Sequence, residues 1–355
     1  MSKHLLVTGA AGFIGANFVH YWAQAHPADK IVGYDALTYA GNMTNLDSLR
    51  DNANFTFVHA NICDSDRVTA VMREHSIDTL VHFAAESHVD RSITGPDEFI
   101  ETNIVGTHSL LKAARAVWLG GDSVIPHRFH HVSTDEVYGS LSPDAPGFFE
   151  DQKYEPNSPY SASKAASDHL VRSYHHTFGL QVSTSNCSNN YGPFHFPEKL
   201  IPLCLTNILG GLPLPVYGDG SNIRDWLYVE DHCRGIELVL QKGKVGEVYN
   251  IGGNNEWSNL AIVELLCEQL DQRFAADPEL TQRFPLAPGA NGGSAGDLIT
   301  FVEDRAGHDW RYAIDASKIM NELGYTPRES FETGLKRTLD WYLSREDWWR
   351  SLLKA

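Results

Sequence analysis

The sequence predicts an α/β fold in which a doubly wound parallel sheet is followed by a smaller mixed α/β C-terminal lobe. Apolar runs alternate with helical patterns up to about residue 190, a glycine-rich turn joins the first run to the first helix, and Pro and Gly become frequent later. Such alternation builds a parallel sheet that helices cover on both faces. The length of 355 residues also favours two lobes, which we place at residues 1–190 and 191–355, with some later segments returning to the first.

The predicted strands are short apolar runs, and the predicted helices are longer segments with apolar residues at helical spacing. Strands are expected at residues 4–8, 30–35, 55–60, 79–83, 129–133 and 181–185. Helices are expected near residues 13–24, 65–74, 98–118 and 160–178. Segments 224–228 and 247–251 are candidates to rejoin the main sheet, and residues 275–297 are expected to form a loop.

The composition excludes several classes of protein. A formal net charge of -17 argues against a broad surface for nucleic acid or anionic membranes, because both need clustered Lys and Arg. The five cysteines are far apart and form no C-x-x-C pair, so we expect no disulfide framework or zinc site and a cytoplasmic location. No metal is expected, since the histidines lack metal-ligand spacing, and no apolar stretch is long enough to span a membrane.

A glycine motif predicts a dinucleotide site after the first strand. Gly9, Gly12 and Gly15 permit a tight turn, close approach of backbone N–H groups to a pyrophosphate, and close packing of helix on strand. Asp35 ends the second strand twenty positions after Gly15, where a carboxylate accepts the adenosine ribose hydroxyls and repels a 2′-phosphate. We therefore predict a Rossmann domain that binds NAD, with the spacing of short-chain dehydrogenases. The alternative for Asp35 is a helix cap or a turn residue.

A tyrosine and a lysine four residues apart indicate hydride chemistry. Ser158 and Pro159 are typical of a helix start, and Tyr160 and Lys164 then share one helical face. The ammonium is expected to lower the tyrosine pKa, so that a phenolate can take the proton of a substrate hydroxyl while NAD takes the hydride. A Y-x-x-x-K pattern also arises by chance, but here it follows a dinucleotide motif.

A second motif, at residues 131–139, begins on a strand and ends in a turn at the carboxyl edge of the predicted sheet, where ligands bind in such folds. Thr134 can hydrogen-bond a reacting hydroxyl. The adjacent carboxylates Asp135 and Glu136 are superfluous for simple hydride transfer, but environments that separate their pKa values would give one acid and one base. The alternative is a solvated turn.

Further blocks extend these motifs over essentially the whole chain. They lie at residues 38–42, 82–92, 101–107, 186–193, 196–202, 223–232 and 304–309. With them the sequence resembles the extended short-chain dehydrogenase/reductase family, and within it the dTDP-glucose 4,6-dehydratases. Two positions depart from that pattern: Asn61 replaces an Asp near the adenine, and Ala306 replaces a Pro beside Arg305. Asn61 can still hydrogen-bond an adenine edge, whereas Ala306 bears on nucleotide affinity.

The resemblance implies conversion of dTDP-glucose to dTDP-4-keto-6-deoxyglucose and water. Tyr160, with Lys164 and Thr134, removes the C4 hydroxyl proton while NAD takes the C4 hydride. Glu136 then removes the C5 proton, and protonated Asp135 gives a proton to the departing C6 hydroxyl. The transiently formed NADH returns its hydride to C6, so NAD stays tightly bound and is regenerated in each turnover.

The resemblance also implies the binding residues. The cofactor set is Gly9, Gly12, Phe13, Ile14, Gly15, Asp35, Leu37, Thr38, Asn61, Ile62, Phe83, Ala84, Ala85, Ser87, Thr102, Tyr160, Lys164 and Asn190. The substrate set is Ser87, Thr134, Asn189, Lys199, Leu200, Pro215, Tyr217, Arg224, Asn259, Arg305 and His308. Arg224 and Arg305 are the candidates for the substrate diphosphate, because a guanidinium matches phosphate oxygens bidentately. The alternative for Arg224 is an ion pair with Asp225 or Glu230.

Two questions stay open at this point. The helices near residues 98–118 and 160–178 resemble those of a four-helix homodimer interface, but their apolar stripes could instead be buried within one subunit. The rival functions are a dehydratase of a UDP- or CDP-linked sugar, a UDP-glucose 4-epimerase, and a non-catalytic NAD-sensing regulator. Asp135 and Glu136 argue against the epimerase, which needs neither, and the intact Tyr160 and Lys164 argue against the regulator.

Overall fold

Three sheets occur in the part of the chain that the structure describes, a computed structural model covering residues 2–121, 125–304 and 307–353. The strands are β1 (His4–Thr8), β2 (Lys30–Asp35), β3 (Phe55–His59), β4 (Thr79–His82), β5 (Arg128–Thr134), β6 (Val182–Cys187), β7 (Asn189–Tyr191), β8 (Leu214–Tyr217), β9 (Ile223–Tyr228), β10 (Val248–Ile251), β11 (Glu256–Ser258), β12 (Ile299–Val302) and β13 (Arg311–Tyr312). Seven parallel strands of this described part form the main sheet, in the order β10-β6-β5-β4-β1-β2-β3.

Helices connect these strands and cover the sheet. The α-helices are α1 (Phe13–Ala25), α2 (Ser65–Glu74), α3 (Val89–Thr94), α4 (Asp97–Phe99), α5 (Thr107–Trp118), α6 (Pro159–Phe178), α7 (Leu200–Gly210), α8 (Val229–Lys242), α9 (Asn259–Ala276), α10 (Pro278–Arg283), α11 (Ser317–Leu323), α12 (Phe331–Ser344) and α13 (Glu346–Leu352). A π-helical stretch, Ile100–Gly106, joins α4 to α5, and 3-10 turns occur at Met43–Leu49, Asp135–Tyr138, Pro288–Asn291 and Ala295–Leu298. None of the helices in the described ranges has both the length and the apolar character needed to cross a bilayer.

Both faces of the main sheet are buried under helices. On one face, α2, α5 and α6 pack around side chains such as Trp118 and Val171. On the other, α1, α8 and α11 pack around Phe18, Trp22 and Ile236. The predicted doubly wound α/β class is therefore confirmed, and so are the predicted strands and helices of the first half, within one to three residues at their ends.

The order of the strands creates a crevice. The chain winds outward from β1 to β3 and then returns to place β4 on the other side of β1. Connections leave β1 and β4 in opposite directions, so their carboxyl ends are not covered by a shared crossover. Open α/β sheets bind ligands at this switch point.

A second sheet follows β6, and it corrects one prediction. Segment 247–251 does return to the main sheet, as β10 beside β6, but segment 224–228 does not. Instead, β9 pairs with β7, β11 and β13 in a separate sheet. The physical reason is the burial of Trp226 and Tyr228 in another apolar cluster, which α7, α9 and α12 share.

The expectation of a loop at residues 275–297 is also wrong in part. The segment contains α10 and two 3-10 turns. Asp277 caps α10 by accepting a hydrogen bond from the Glu279 N–H at 2.9 Å, and Leu280 and Phe284 are buried in the same cluster as Trp226. The Pro and Gly content suggested a loop, but buried apolar residues fix the segment. The division at residue 190 itself stays a prediction.

We predict that Ser158→Ala loosens the first turn of α6. Ser158 and Ser161 form a reciprocal capping box at 3.0 and 3.1 Å, and loss of an N-cap side chain typically costs about 1 kcal/mol. Hydrogen exchange of amides in the first turn should therefore accelerate. Asp64→Ala, which removes the cap of α2, is the matched control and should leave exchange in α6 unchanged. Unaltered exchange in Ser158→Ala would contradict this role of the cap.

Candidate active site

A cavity of about 380 Å³ lies at the crevice, within the size range of small-molecule sites. Its walls come from the turns after β1, β2, β4 and β5, from the start of α6, from β7 and from the segment before α7. Parallel strands bring their carboxyl ends to one edge, so residues distant in the chain meet here.

The glycine turn after β1 forms a cradle of backbone in which Gly9 and Gly15 have no room for a side chain. Gly9 has φ +69°, and a Cβ on it would lie 2.7 Å from the Ala84 backbone nitrogen. A Cβ on Gly15 would lie 2.0 Å from the Gly9 carbonyl oxygen. Gly12 is the N-cap of α1 and provides no capping side chain, so the positive end of that helix is open to the cavity. This geometry fits the pyrophosphate of a dinucleotide.

Asp35 lies at the end of β2 in the cavity wall. Its carboxylate accepts hydrogen bonds from the Ala11 N–H at 2.9 Å and from the Leu37 N–H at 2.8 Å. These bonds orient the side chain, and a carboxylate has further lone pairs for ribose hydroxyls. Burial raises the pKa of Asp35, while the two backbone N–H groups oppose that rise. The bond from the Leu37 N–H is that of a turn residue, as the alternative expected, whereas the bond from the Ala11 N–H connects Asp35 to the glycine turn after β1.

Thr134, Asp135 and Glu136 lie at the carboxyl end of β5, where the strand turns into a 3-10 helix. The Thr134 hydroxyl accepts the Glu136 N–H at 3.3 Å and caps that turn. Asp135 is buried, 1% exposed, whereas Glu136 is half-buried. All three line the cavity, so the alternative of a solvated turn is wrong for Asp135.

Asp135 has the electrostatic character of an acid. Burial raises its pKa well above the ordinary value, and the adjacent Glu136 and then Asp225 raise it further, against a lowering by Arg224 and Thr134. Such surroundings favour the protonated carboxyl, the form that an acid needs. The sequence predicted that different environments give one carboxylate the pKa of an acid and the other that of a base. For Asp135, burial and the neighbouring carboxylates are the physical cause.

Tyr160 and Lys164 project from the first two turns of α6 into the same cavity. The pKa of Tyr160 does not follow the prediction: burial raises it well above its ordinary value, and Glu136 adds to the rise. A hydrogen bond with Thr134 is the contact that lowers it. Lys164 donates from Nζ to the Val132 carbonyl at 2.8 Å. In the protein alone, burial and Glu136 thus outweigh the Thr134 hydrogen bond, and the phenol form of Tyr160 is favoured.

The cavity brings together most of the predicted binding residues. Of the cofactor set, the cavity wall contains Gly9, Gly12, Phe13, Ile14, Gly15, Asp35, Thr38, Asn61, Ile62, Phe83, Ala84, Ala85, Ser87, Thr102, Tyr160, Lys164 and Asn190. Leu37 is not part of the wall and approaches Asp35 through its backbone N–H, with a left-handed φ of 51°. Of the substrate set, the wall contains Ser87, Thr134, Asn189, Lys199 and Leu200.

The other predicted substrate residues lie outside the cavity wall, on or near the second sheet and on the third sheet, in which β8 pairs with β12. Pro215 and Tyr217 are on β8, and the Tyr217 ring is 6.3 Å from that of His308. Asn259 begins α9, and its N–H donates to the Asn222 carbonyl at 3.0 Å. Arg305, and the departure at residue 306, lie outside the described residues.

Arg224 is buried on β9. Its guanidinium donates to the carbonyls of Ile223 at 2.7 Å and Asp309 at 3.0 Å, and it stacks 4.3 Å above the Tyr312 ring. The alternative of an ion pair with Asp225 or Glu230 is not what these contacts describe, because Asp225 accepts from the Gly253 and Asn255 N–H groups.

Several residues of the cavity wall were missed at the sequence level. They are Tyr34, Ala36, Tyr39, Ala40, Gly41, Glu86, Val132, Ser133, Cys187, Ser188, His195, Phe196, Glu198 and Trp226. Many of them follow a strand end, and that position in the sequence could have indicated that they line the cavity. His195 is different, because only the fold stacks its ring on Phe13, at 4.2 Å.

A cluster of three side chains, Tyr39, Arg91 and Glu198, connects three segments of the chain beside the cavity. Tyr39 donates to Glu198 at 3.1 Å, and Arg91 donates to the same carboxylate at 3.2 Å. The Arg91 guanidinium also lies 3.8 Å above the Tyr39 ring. The loops after β2 and β4, which hold predicted cofactor residues, are thereby tied to the segment that holds Lys199 and Leu200.

Comparisons with known proteins agree with this geometry. A family model described as GDP-mannose 4,6 dehydratase matches residues 6–338. A dTDP-glucose 4,6-dehydratase of Escherichia coli is 51% identical over an alignment of 359 positions that covers 98% of this chain and 96% of that protein. Its counterpart from Xanthomonas campestris pv. campestris is 53% identical over 350 residues, or 98% and 95% of the two chains.

Solved structures give the same result. A dTDP-glucose 4,6-dehydratase from Streptomyces venezuelae, solved with NAD bound, has a TM-score of 0.87 and 46% identity, covering 99% of this chain and 100% of that one. The resemblance expected from the sequence blocks is thus confirmed at the level of whole chains, and this chain belongs to the dTDP-glucose 4,6-dehydratase family.

Proposed function

We propose that this protein is an NAD-dependent hydro-lyase that converts dTDP-glucose to dTDP-4-keto-6-deoxyglucose and water. The observation that carries the proposal is the presence of Asp135 and Glu136 beside Tyr160 in one cavity. Tyrosine-based oxidation needs no carboxylate pair, whereas an elimination needs both a base and an acid. An epimerase reaction does not need this pair of carboxylates.

NAD is held by the glycine cradle and Asp35. The Gly9–Gly15 turn and the open start of α1 take the pyrophosphate, Asp35 takes the adenosine ribose, and Asn61 lies in the wall for the adenine edge. When bound, NAD supplies a reversible two-electron acceptor and a positive charge at its nicotinamide ring. The residues of this chain carry out the proton transfers.

Tyr160 acts first as the base for the C4 hydroxyl. Its protonated form is favoured in the protein alone, because burial and Glu136 raise its pKa. The Thr134 hydrogen bond lowers the pKa of Tyr160. We assign the rest of that lowering to positive charge in the cavity, from the Lys164 ammonium and the bound nicotinamide ring, because an opposite charge favours the phenolate. Oxidation at C4 then makes the C5 hydrogen acidic.

Glu136 and Asp135 carry out the elimination. Glu136 is half-buried and takes the C5 proton, while the buried and protonated Asp135 gives its proton to the departing C6 hydroxyl, which leaves as water. The C5 proton returns from Glu136 when C6 is reduced. Tyr160 then releases the C4 proton to solvent and Asp135 regains one, so the enzyme returns to its starting state and the product differs from the substrate by one water molecule.

The substrate nucleotide is held by two groups of residues. Lys199, Leu200 and Asn189 belong to the cavity wall. Beyond it lie Arg224 on the second sheet, Asn259 at the start of α9 and Tyr217 on β8 of the third sheet. Arg224 stands close enough to lower the pKa of Asp135, so a diphosphate near Arg224 would lie next to the chemistry. Arg305 completes this assignment by resemblance to the family.

The proposal includes a homodimer in the cytoplasm. Exposed apolar side chains support the dimer: Ile100 is 46% exposed and Val105 39% exposed, both on the helical run that continues into α5. Isolated side chains of this size are common on surfaces, but two on one helix favour an interface. The free state of all five cysteines suits a reducing compartment.

The purified protein should convert dTDP-glucose without added NAD. We expect a product that is lighter than the substrate by one water, about 18 mass units, as elimination requires. Its 4-keto group should be detectable by its absorbance in alkali. UDP-glucose at the same concentration serves as the matched control and should react far more slowly. Turnover of UDP-glucose with none of dTDP-glucose would overturn the substrate assignment.

Glu136→Gln should stop water loss while C4 oxidation continues. The amide keeps the size of the side chain but cannot take the C5 proton, and loss of a general base typically lowers kcat by about 10² to 10⁴. Mass spectrometry of the product measures water loss, and the near-ultraviolet absorbance of the reduced cofactor measures C4 oxidation; exchange of the C5 hydrogen in D₂O should be lost together with water loss. Unchanged water loss in this variant would refute the role of Glu136 as base.

Val105→Asp should separate the dimer. A carboxylate at a buried interface is costly to desolvate, so sedimentation should show a protein of half the mass. Leu286→Asp is the control, because Leu286 is 72% exposed on another part of the surface and its change should leave the mass unaltered. A Val105→Asp protein with the same mass as the parent would show that Val105 lies outside the interface.

A further inference from the structure

Lys164 is a buried charge at the centre of the proposed reaction. Its side chain is 4% exposed, and its Nζ donates to a neutral group, the Val132 carbonyl, at 2.8 Å. Burial lowers the pKa of Lys164, which means that desolvation works against the ammonium form. A buried ammonium that must stay charged needs an opposite charge nearby.

Asp168 is placed to supply that charge. It lies four residues after Lys164 on α6, so the two share a helical face, and it is 5% exposed. Of the charged groups around Lys164, Asp168 raises its pKa most. Lys164 in turn is the strongest charge that lowers the pKa of Asp168.

The carboxylate of Asp168 is also held in place. The Ser133 hydroxyl donates to Oδ2 at 2.9 Å, and His131 Nε2 lies 3.0 Å from Oδ1. Tyr154 forms a further hydrogen bond. The His131 ring does not neutralise Asp168, because burial and Lys164 lower the pKa of His131 well below its ordinary value. Among these groups Lys164 is the cation.

We propose that Asp168 is the counter-ion that keeps Lys164 charged inside the cavity, and is thus a positioning residue for the dehydration. The inference rests on the proposed function, since it assigns a task to a residue behind the reacting groups. The cavity wall includes Asp35, Glu86, Asp135, Glu136 and Glu198, and its lysines in the described residues are Lys164 and Lys199. Loss of the Lys164 charge would leave Tyr160 facing carboxylates.

The expected pH dependence follows from the groups around Asp168. The titratable or charged groups that face it from the packed elements are Lys164 and His169 on α6, His131 on β5, Tyr138 on the following turn, and Tyr154 on the loop before α6. Burial raises the pKa of Asp168 to about 6, so its charge is present above that pH. As the pH rises further, activity is lost when Lys164 gives up its proton. Without the charge of Asp168 that loss comes at a lower pH.

Asp168→Asn tests this directly. The amide preserves size and can still accept from Ser133, but it has no charge. We expect the alkaline limb of the kcat profile to move down by roughly one to three pH units, the range for a lost opposite charge, with KM changed much less than kcat. Tyr154→Phe is the matched control: it removes a hydrogen bond to Asp168 and keeps the charge, so its alkaline limb should coincide with that of the parent.

A double variant covers the case in which Asp168→Asn folds but is too unstable for kinetic measurement. If Lys164 and Asp168 balance each other, then Lys164→Met together with Asp168→Asn removes both buried charges, and the double variant should melt at a higher temperature than Asp168→Asn alone. Purely additive effects on melting would overturn the pairing. So would an Asp168→Asn profile that superimposes on the parent profile while the parent makes the 4-keto product. Absence of that product from the parent at every pH would instead refute the proposed function.

Discussion

The desolvation of charged groups at the carboxyl end of β5 is the constraint on which the site depends. One strand end, followed by a turn and faced by α6, brings Thr134, Asp135, Tyr160 and Lys164 out of water together. Removal of water raises the pKa of the carboxyl and phenol groups and lowers that of the amine. Each of these pKa shifts favours the neutral form of the group. The neutral form is the one needed for the acid Asp135, but Tyr160 and Lys164 have to be charged, so other groups of the site must oppose the effect of desolvation there.

The rest of the fold can be understood as support for this strand end. The parallel sheet places the glycine turn after β1 next to the turn after β4, and a buried network behind β5 fixes the rear of the site. His131 and Ser133 point from β5 toward α6 and contact Asp168. Packing against both faces of the sheet then leaves little freedom for the groups at its edge.

The sequence was sufficient for most of the first half of the fold and for the residues of the cavity wall near Gly9, Asp35, Thr134 and Tyr160. These depend on local patterns, namely strand period, helix caps and glycine turns, which a sequence displays directly. It was insufficient where the outcome depends on which surfaces meet. Segment 224–228 has the composition of a central strand in either sheet, and only the packing of Trp226 in the second cluster decides between them. The prediction of a lowered pKa for Tyr160 was wrong for the same reason, because the burial of the phenol and the carboxylates around it depend on the tertiary fold.

The junction between β6 and β7 has a mechanical consequence. A single residue, Ser188, separates a strand of the main sheet from a strand of the second sheet, and its hydroxyl donates to the buried Asp225 on β9. One residue anchored in this way cannot act as a flexible hinge. The two sheets are therefore held together at this point, and opening of the cleft to admit a sugar nucleotide cannot come from rotation about Ser188. Exchange of ligands would then be a property of the loops on the far side, while the distance between the strand ends that carry the chemistry stays constant.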